Sequence, residues 1–153
     1  MSIPSRFVRQ ATLADLIPLG ELAKGYRGEA AGLNRFPVDF DKLMKNLATT
    51  VVAPDGYLGV LIVDGAIAGV LWGCLTSVPW STDKMAQDAI LFVRKEHRGN
   101  GKLLLVDWER WAKQAGASAV CISTASGLET ERVCKLYERM GYNLIGHTFF
   151  KET

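Results

Sequence analysis

The sequence predicts an α/β (α+β) domain: one mixed β-sheet flanked by about four helices. Three observations carry this. β-Rich apolar runs alternate along the chain with stretches whose apolar residues recur at helical spacing. Asp64-Gly65 joins "YLGVLIV" (57–63) to "AIAGVLWGCL" (66–75), as a tight type I′ hairpin turn requires. Finally, "DAILFV" (88–93), a Trp-containing helical stretch and "SAVCISTAS" (118–126) form a β-α-β unit whose two strands should run parallel. With 153 residues, the chain suits a single domain over 1–153.

The elements follow in order. "RFVRQAT" (6–12) reads as a short strand. Thr12 and Asp15 make a capping box for a first helix carrying Leu16, Leu19 and Ala23 on one face. Pro18 lies too far in for an early start, so a kink or a late start is expected. "GYRGEAAGLNRFPVD" (25–39) is polar and Gly-rich and reads as a loop. "FDKLMKNLATT" (40–50) is a second helix, with Phe40, Leu43, Met44 and Leu47 at helical spacing. The hairpin comes next, then the loop "TSVPWSTDKMAQ" (76–87). "DAILFV" is nearly all apolar, as expected of a strand covered on both faces. In the third helix Leu104, Trp108, Trp111 and Ala115 form a core stripe. "TERVCKLYERM" (130–140) is a short helix, stopped by Gly141 at C′. "YNLIGHTFFKE" (142–152) reads as a last strand, completing the order β-α-α-β-β-β-α-β-α-β.

Bulk properties narrow the function. Hydrophobic residues make up 48% and charged residues 22%, which excludes a disordered chain. A formal charge of +2 gives no bulk attraction for nucleic acid. No run approaches the ~20 apolar residues of a membrane span, and the N-terminus shows no signal-peptide pattern, so a cytoplasmic protein is expected. Cys74, Cys121 and Cys134 are odd in number and form no CxxC, so reduced thiols are expected, with neither a disulfide framework nor a metal site.

The stretch "RKEHRGNGKLLLVDWERW" (94–111) is the most informative. Two glycines open a helix directly after a buried strand. A helix start offers unpaired N–H groups and the positive end of the dipole, and glycine lets a bulky anion approach them closely. A phosphate-bearing ligand is expected. A Walker loop is excluded because positions 96 and 103 are Glu and Leu. A dinucleotide fingerprint lacks its third Gly, since position 104 is Leu.

The segment resembles the V-x-P-x-x-R-G-x-G-x-G/A pattern of the GNAT superfamily of acetyl-CoA-dependent N-acetyltransferases. Val93, Arg98, Gly99 and Gly101 match; Lys95 and Leu103 depart from it. "ETERVCKLYERMGY" (129–142) is similar to the second GNAT signature through Leu136, Tyr137, Gly141 and Tyr142, with Thr130 and Val133 at the Asn and Ala positions. "PWSTDKMAQD" and the "KEHRG" form are similar to small bacterial and phage-encoded members.

The resemblance implies that the strands on either side of the third helix splay apart and that pantetheine lies between them against Leu91, Phe92 and Val93. It implies a pyrophosphate held by the N–H groups of Arg98, Gly99, Asn100, Gly101, Lys102 and Leu103, with Thr130, Val133 and Tyr137 completing the cofactor cleft. Tyr137 would assist the departing thiolate, and Asp88 stands where members often place a base. From periodicity alone, Tyr137 also fits a core stripe with Val133, Leu136 and Met140. Tyr26, Phe36 and Trp80 lie in loops bordering the family's acceptor cleft. The expected activity is acetyl transfer from acetyl-CoA to a small-molecule or protein amine by direct attack. No metal, nucleic acid or membrane takes part, and homodimerisation is a family expectation. The alternative is an acyl-CoA-binding or regulatory module with little or no catalysis.

Overall fold

Burial of apolar side chains on both faces of one twisted sheet organises the protein. The structure, a computed structural model, describes residues 2, 3 and 5–153. Five strands are arranged in the order β1 (Arg6–Gln10), β2 (Gly56–Val63), β3 (Ala66–Thr76), β4 (Met85–Val93) and β5 (Ala119–Cys121). Neighbours are antiparallel except β4 and β5, which run parallel as the β-α-β reading requires. Helices α1 (Leu16–Glu29) and α2 (Phe40–Val52) cover one face; α3 (Gly101–Gln114) and α4 (Thr130–Arg139) flank the other.

The strand period of two divides β2 between these layers. Tyr57, Leu61 and Val63 join the core beneath α3, while Leu58, Val60 and Ile62 join the core beneath α1 and α2. The β2–β3 turn has positive φ at both Asp64 (49°) and Gly65 (83°), as the expected type I′ turn demands. Thr12 N donates to Asp15 Oδ2 at 2.8 Å, closing the box ahead of a short 3-10 turn, Leu13–Asp15. Because α1 proper starts at Leu16, Pro18 falls within its first turn: a late start.

Glycine admits the aromatic core under α3. Trp108 is fully buried, stacked on Trp111 with centroids 5.4 Å apart and tilted against Tyr57 at 5.0 Å. A Cβ on Gly73 would lie 2.5 Å from Trp108 Cη2, and one on Gly59 would lie 2.2 Å from the Tyr57 hydroxyl. That hydroxyl donates to the buried carboxylate of Asp107 at 2.7 Å, and Asp107 also pairs with Arg110.

Three expectations need correction. α1 runs to Glu29, absorbing Tyr26 and Arg27 from the expected loop, and only residues 30–39 connect it to α2. Isolated glycines at 25 and 28 weaken a helix without stopping it, and packing prevailed here. β5 pairs over three residues, not the nine of "SAVCISTAS". The last strand does not form. Residues 143–153 find no sheet edge and no backbone partner among the described residues. Apolar alternation provides side chains for a strand, but a strand exists only where another backbone pairs with it. Leu144, Ile145 and Phe149 are exposed instead, while Phe150 packs edge-on against Phe36 and Glu152 pairs with Arg35. Cys74 is exposed, Cys121 and Cys134 are half-buried, and all three thiols are free.

Gly73→Ala tests the packing. The added methyl must displace Trp108 or the Gln87 carbonyl, 2.7 Å away. Overpacking of this kind costs about 1–3 kcal/mol, a fall in Tm of roughly 3–10 °C for a domain of this size, measurable by calorimetry.

Candidate active site

β4 carries the site, and an irregularity in it sets the geometry. Its register with β3 steps from Trp72↔Ile90 to Gly73↔Asp88, so Ala89 is an extra residue, a β-bulge. The bulge reverses which face each side chain takes. Ala86 before it and Leu91 and Val93 after it face the α3 core, whereas Ile90 and Phe92 face α1. Asp88, two residues beyond Ala86, is thereby left on the α3–α4 side. Without the extra residue it would share a face with Ile90 and Phe92.

At nearly the same level β4 loses its neighbour. Parallel pairing with β5 covers Met85↔Ala119, Ala86↔Val120 and Gln87↔Cys121 and then stops. Beyond that point the strands part and a cavity of about 340 Å³ opens, a volume typical of small-molecule sites. Its walls are β4 residues 88–93, the loop 123–129 after β5, the start of α3 and one side of α4.

At one end of the cavity, Asp88 is 8% exposed. Burial pushes its carboxyl up to about 6, against the opposing effect of Gln87 and of the Ser123 backbone and hydroxyl. Gln87 Nε2 donates to Asp88 Oδ1 at 3.1 Å. The Tyr137 hydroxyl, almost fully buried, donates to the Ser123 carbonyl at 3.3 Å. Ser123 thus joins the two predicted catalytic residues. Burial, and secondarily the charge of Asp88, raises the Tyr137 phenol well above its ordinary range. The same two causes raise Tyr26, which meets Phe92 edge-on at 5.7 Å.

At the other end is the bare helix start. The N–H groups of Gly99, Asn100, Gly101 and Lys102 have no protein acceptor among the described residues. A Cβ on Gly101 would meet nothing within 4 Å. Gly99 holds φ at +101°, a conformation other residues rarely adopt. Arg98, Lys102, Arg132 and Arg139 add positive charge to the cavity wall. Backbone donors, dipole, cations and open approach together suit a phosphate-bearing ligand.

The structure therefore brings Leu91, Phe92, Val93, Arg98, Gly99, Gly101, Lys102, Val133, Tyr137 and Asp88 to one cavity. Three predicted residues stand apart from its wall. Asn100 caps α3, its side chain bonded to Arg6 and the His97 carbonyl. Leu103 N–H already donates to the Asn100 carbonyl at 3.0 Å, and its side chain is partly exposed. Thr130 begins α4 outside the main cavity. Of the three aromatics expected near an acceptor, Tyr26 lines the cavity, Phe36 packs on the C-terminal segment, and Trp80 is 84% exposed.

The model of the acetyltransferase (GNAT) family matches residues 24–142. The chain belongs to this family. No curated protein matches it by sequence. Among solved structures, it is similar to the aminoglycoside N-acetyltransferase AAC(6')-Iy in complex with CoA, at 16% identity and TM-score 0.77, covering 99% of this chain and 97% of that one. A ribosomal-protein-alanine N-acetyltransferase from Brucella melitensis biovar Abortus 2308 gives 16% and 0.71, covering 97% and 99%. An aminoglycoside acetyltransferase from an uncultured soil metagenomic sample, in complex with sisomicin, gives 15% and 0.71, covering 97% of each chain. At such identities the likeness concerns the fold, and it extends over nearly the whole length.

In this GNAT chain, the sequence reading missed Ser123, Glu29 and Glu129. Ser123 lies in what reads as the middle of a strand, and nothing in "SAVCISTAS" marks where pairing stops. Glu29 and Glu129 both pair with Arg98, a contact between residues 69 and 31 positions apart, respectively, that no local pattern encodes.

Asp88 has a stability consequence. Its folded value, about 6, lies above its ordinary 3.8, so the folded protein holds this proton more tightly than the unfolded chain. The associated stabilisation is complete below about pH 4 and is lost as pH rises through 6. Asp88→Asn should therefore be the more stable protein at pH 8, by roughly 1–3 kcal/mol, with the advantage gone near pH 4. Denaturant melts at the two pH values check this; an equal offset at both contradicts it.

Proposed function

We propose that the protein transfers an acetyl group from acetyl-CoA to a primary amine by direct attack, with no covalent enzyme intermediate. One observation carries the reading: a single cavity has a helix start with free N–H donors at one end and, at the other, a buried carboxyl and a buried phenol joined through Ser123. The residues fit the cosubstrate. Free N–H groups from Gly99 to Lys102 would suit a diphosphate, and the unpaired side of β4 at residues 91–93 offers main-chain partners to an amide-bearing arm. Acetyl-CoA supplies the activated thioester. Solved structures of similar fold include proteins named as aminoglycoside and ribosomal-protein-alanine N-acetyltransferases, which supports an amine acceptor, small or protein-borne.

Transfer forms an amide bond and breaks a C–S bond, so one proton must leave the amine and one must meet the sulfur. Asp88, held near 6, is ionised at neutral pH yet basic enough to take the amine proton, directly or through water. Tyr137, kept protonated by its surroundings, stabilises the departing sulfur as charge builds there. Closed off from bulk water, both groups act more strongly than they would in solution.

Tyr137→Phe removes one hydroxyl and keeps the ring packed against Tyr142. kcat should fall about ten- to a thousandfold with KM for acetyl-CoA nearly constant. A purely structural Tyr137 gives the opposite result, altered stability and normal turnover.

Acetyl-CoA should also raise Tm, and Gly101→Val should suppress that rise without unfolding the protein, because its side chain would enter the cavity and not the core. A full shift in the variant would move the phosphate site elsewhere. A ligand-induced shift without thiol release from any amine would favour the alternative, an acyl-CoA-binding or regulatory module.

A further inference from the structure

The cavity wall carries its charge unevenly. Arg98, Lys102, Arg132 and Arg139 line it, against two carboxylates, Asp88 and Glu129. Glu129 is already engaged: its Oε2 lies 3.7 Å from Arg98 Nη1 and its Oε1 lies 3.6 Å from Arg132 Nη1. Asp88 is buried next to Ser123, and in the proposed reaction it takes the proton of the amine that reacts. Lys102 and Arg139 have no carboxylate within ion-pair distance among the described residues. No wall carboxylate is therefore left for a second ammonium group.

The wall that remains on the α1 side is apolar. Tyr26, Ile90, Phe92 and Leu128 line the cavity and also pack with the core beneath α1 and α2, so this core reaches the cavity where the sheet opens. Tyr26 meets Phe92 edge-on at 5.7 Å and lies close enough to Asp88 for that charge to act on its phenol. Phosphates of a cosubstrate do not stand in for the missing carboxylates. At about 3.3 Å per residue, the stretch of β4 from Asp88 to Val93 spans roughly 15 Å, and the helix start lies at its Val93 end. That separation exceeds the Debye length of about 8 Å at physiological salt.

We propose that the acceptor is a monoamine: one ammonium group on an apolar body, which lies against Tyr26, Phe92 and Leu128 while its amine meets Asp88. This inference rests on the acetyl-transfer reading above and narrows it. Proteins of similar fold are named as aminoglycoside acetyltransferases. An aminoglycoside carries several ammonium groups, and this wall gives the additional ones no counter-charge. Selection against polycations is thus built from what the wall lacks as much as from what it offers.

The test gives the full chain acetyl-CoA and acceptors matched in length: hexylamine, hexamethylenediamine (a second ammonium at the far end) and ε-aminocaproate (a carboxylate there), with spermidine and neamine as polycations. Read by thiol release, kcat/KM for hexylamine should be at least about tenfold above that for the diamine and both polycations, since a charge taken out of water without a partner costs that much or more. Tyr26→Glu places a carboxylate on the wall, and its hexylamine-to-diamine ratio should fall about two- to fivefold, the scale of a partly exposed ion pair. A rise in Tm with acetyl-CoA establishes that this variant is folded; if it is not, the matched amines on the unaltered chain decide alone. A diamine or polycation used as well as hexylamine, or an unchanged ratio in the folded variant, overturns the monoamine site. ε-Aminocaproate ahead of hexylamine overturns the apolar body. Each of these leaves acetyl transfer standing. Thiol release with none of the amines, although acetyl-CoA raises Tm, overturns both.

Discussion

The parting of β4 from β5 after Gln87 and Cys121 is the constraint on which the rest of the site depends. Parallel strands that paired along their full length would satisfy each other's backbone and leave no room between them. Here pairing ends after three residues, and the donors and acceptors on one side of residues 88–93 must find other partners. Water can serve, and so can a ligand carrying amides. The unpaired stretch therefore offers free backbone donors and acceptors to the cavity. Its position also places the carboxylate of Asp88 at the point of divergence, where the Ala89 bulge has already turned it toward α4.

Such an opening in a sheet would collapse if its two sides were not held independently. β4 is anchored by full antiparallel pairing with β3 and by the aromatic block of Tyr57, Trp108 and Trp111 beneath it. The indole N–H of Trp108 has no acceptor among the described residues, a cost that the ring's complete burial and its stacking on Trp111 offset. The far side is held just past the end of α4, where the Tyr142 hydroxyl donates to Glu109 of α3 at 2.7 Å. α3 thus braces both walls, and its first turn presents free N–H donors to the end of the cavity.

Much of this was legible in the sequence because it is encoded locally. The Asp64-Gly65 turn, the capping box of Thr12 and Asp15, the helix start at the glycines 99 and 101 and the stop at Gly141 each depend on a few adjacent residues, and the structure forms these local features where they were expected. What was not legible depends on partners distant in the chain. The length of β5 is decided by where β4 bends away, not by the apolar run through Ile122 and Ser123. The segment "YNLIGHTFFKE" has strand composition and no adjacent edge to pair with. The helical stripe at Val133, Leu136, Tyr137 and Met140 showed that Tyr137 faces inward, but not that its hydroxyl would meet the carbonyl of Ser123. Family resemblance supplied the role that periodicity left open between a core residue and a proton donor.

Asp88 and Tyr137 also depend on each other electrostatically, and the sign of that dependence suits the order of events. While Asp88 is ionised, its charge adds to the effect of burial and holds the phenol proton firmly on Tyr137. In that state Asp88 is ready to accept a proton and Tyr137 resists losing one. In the proposed reaction Asp88 becomes neutral on taking the amine proton, and its contribution to the raised Tyr137 value would then disappear. The phenol would then become a better acid at the moment the sulfur gathers charge. Burial remains the larger of the two causes, so in the proposed reaction Tyr137 would act chiefly as a strong hydrogen-bond donor to the leaving group, with full proton transfer made easier by the first step. A cleft that shields both groups from water lengthens the reach of each charge, and so the geometry that opens the sheet suits the acid and base roles proposed for Tyr137 and Asp88.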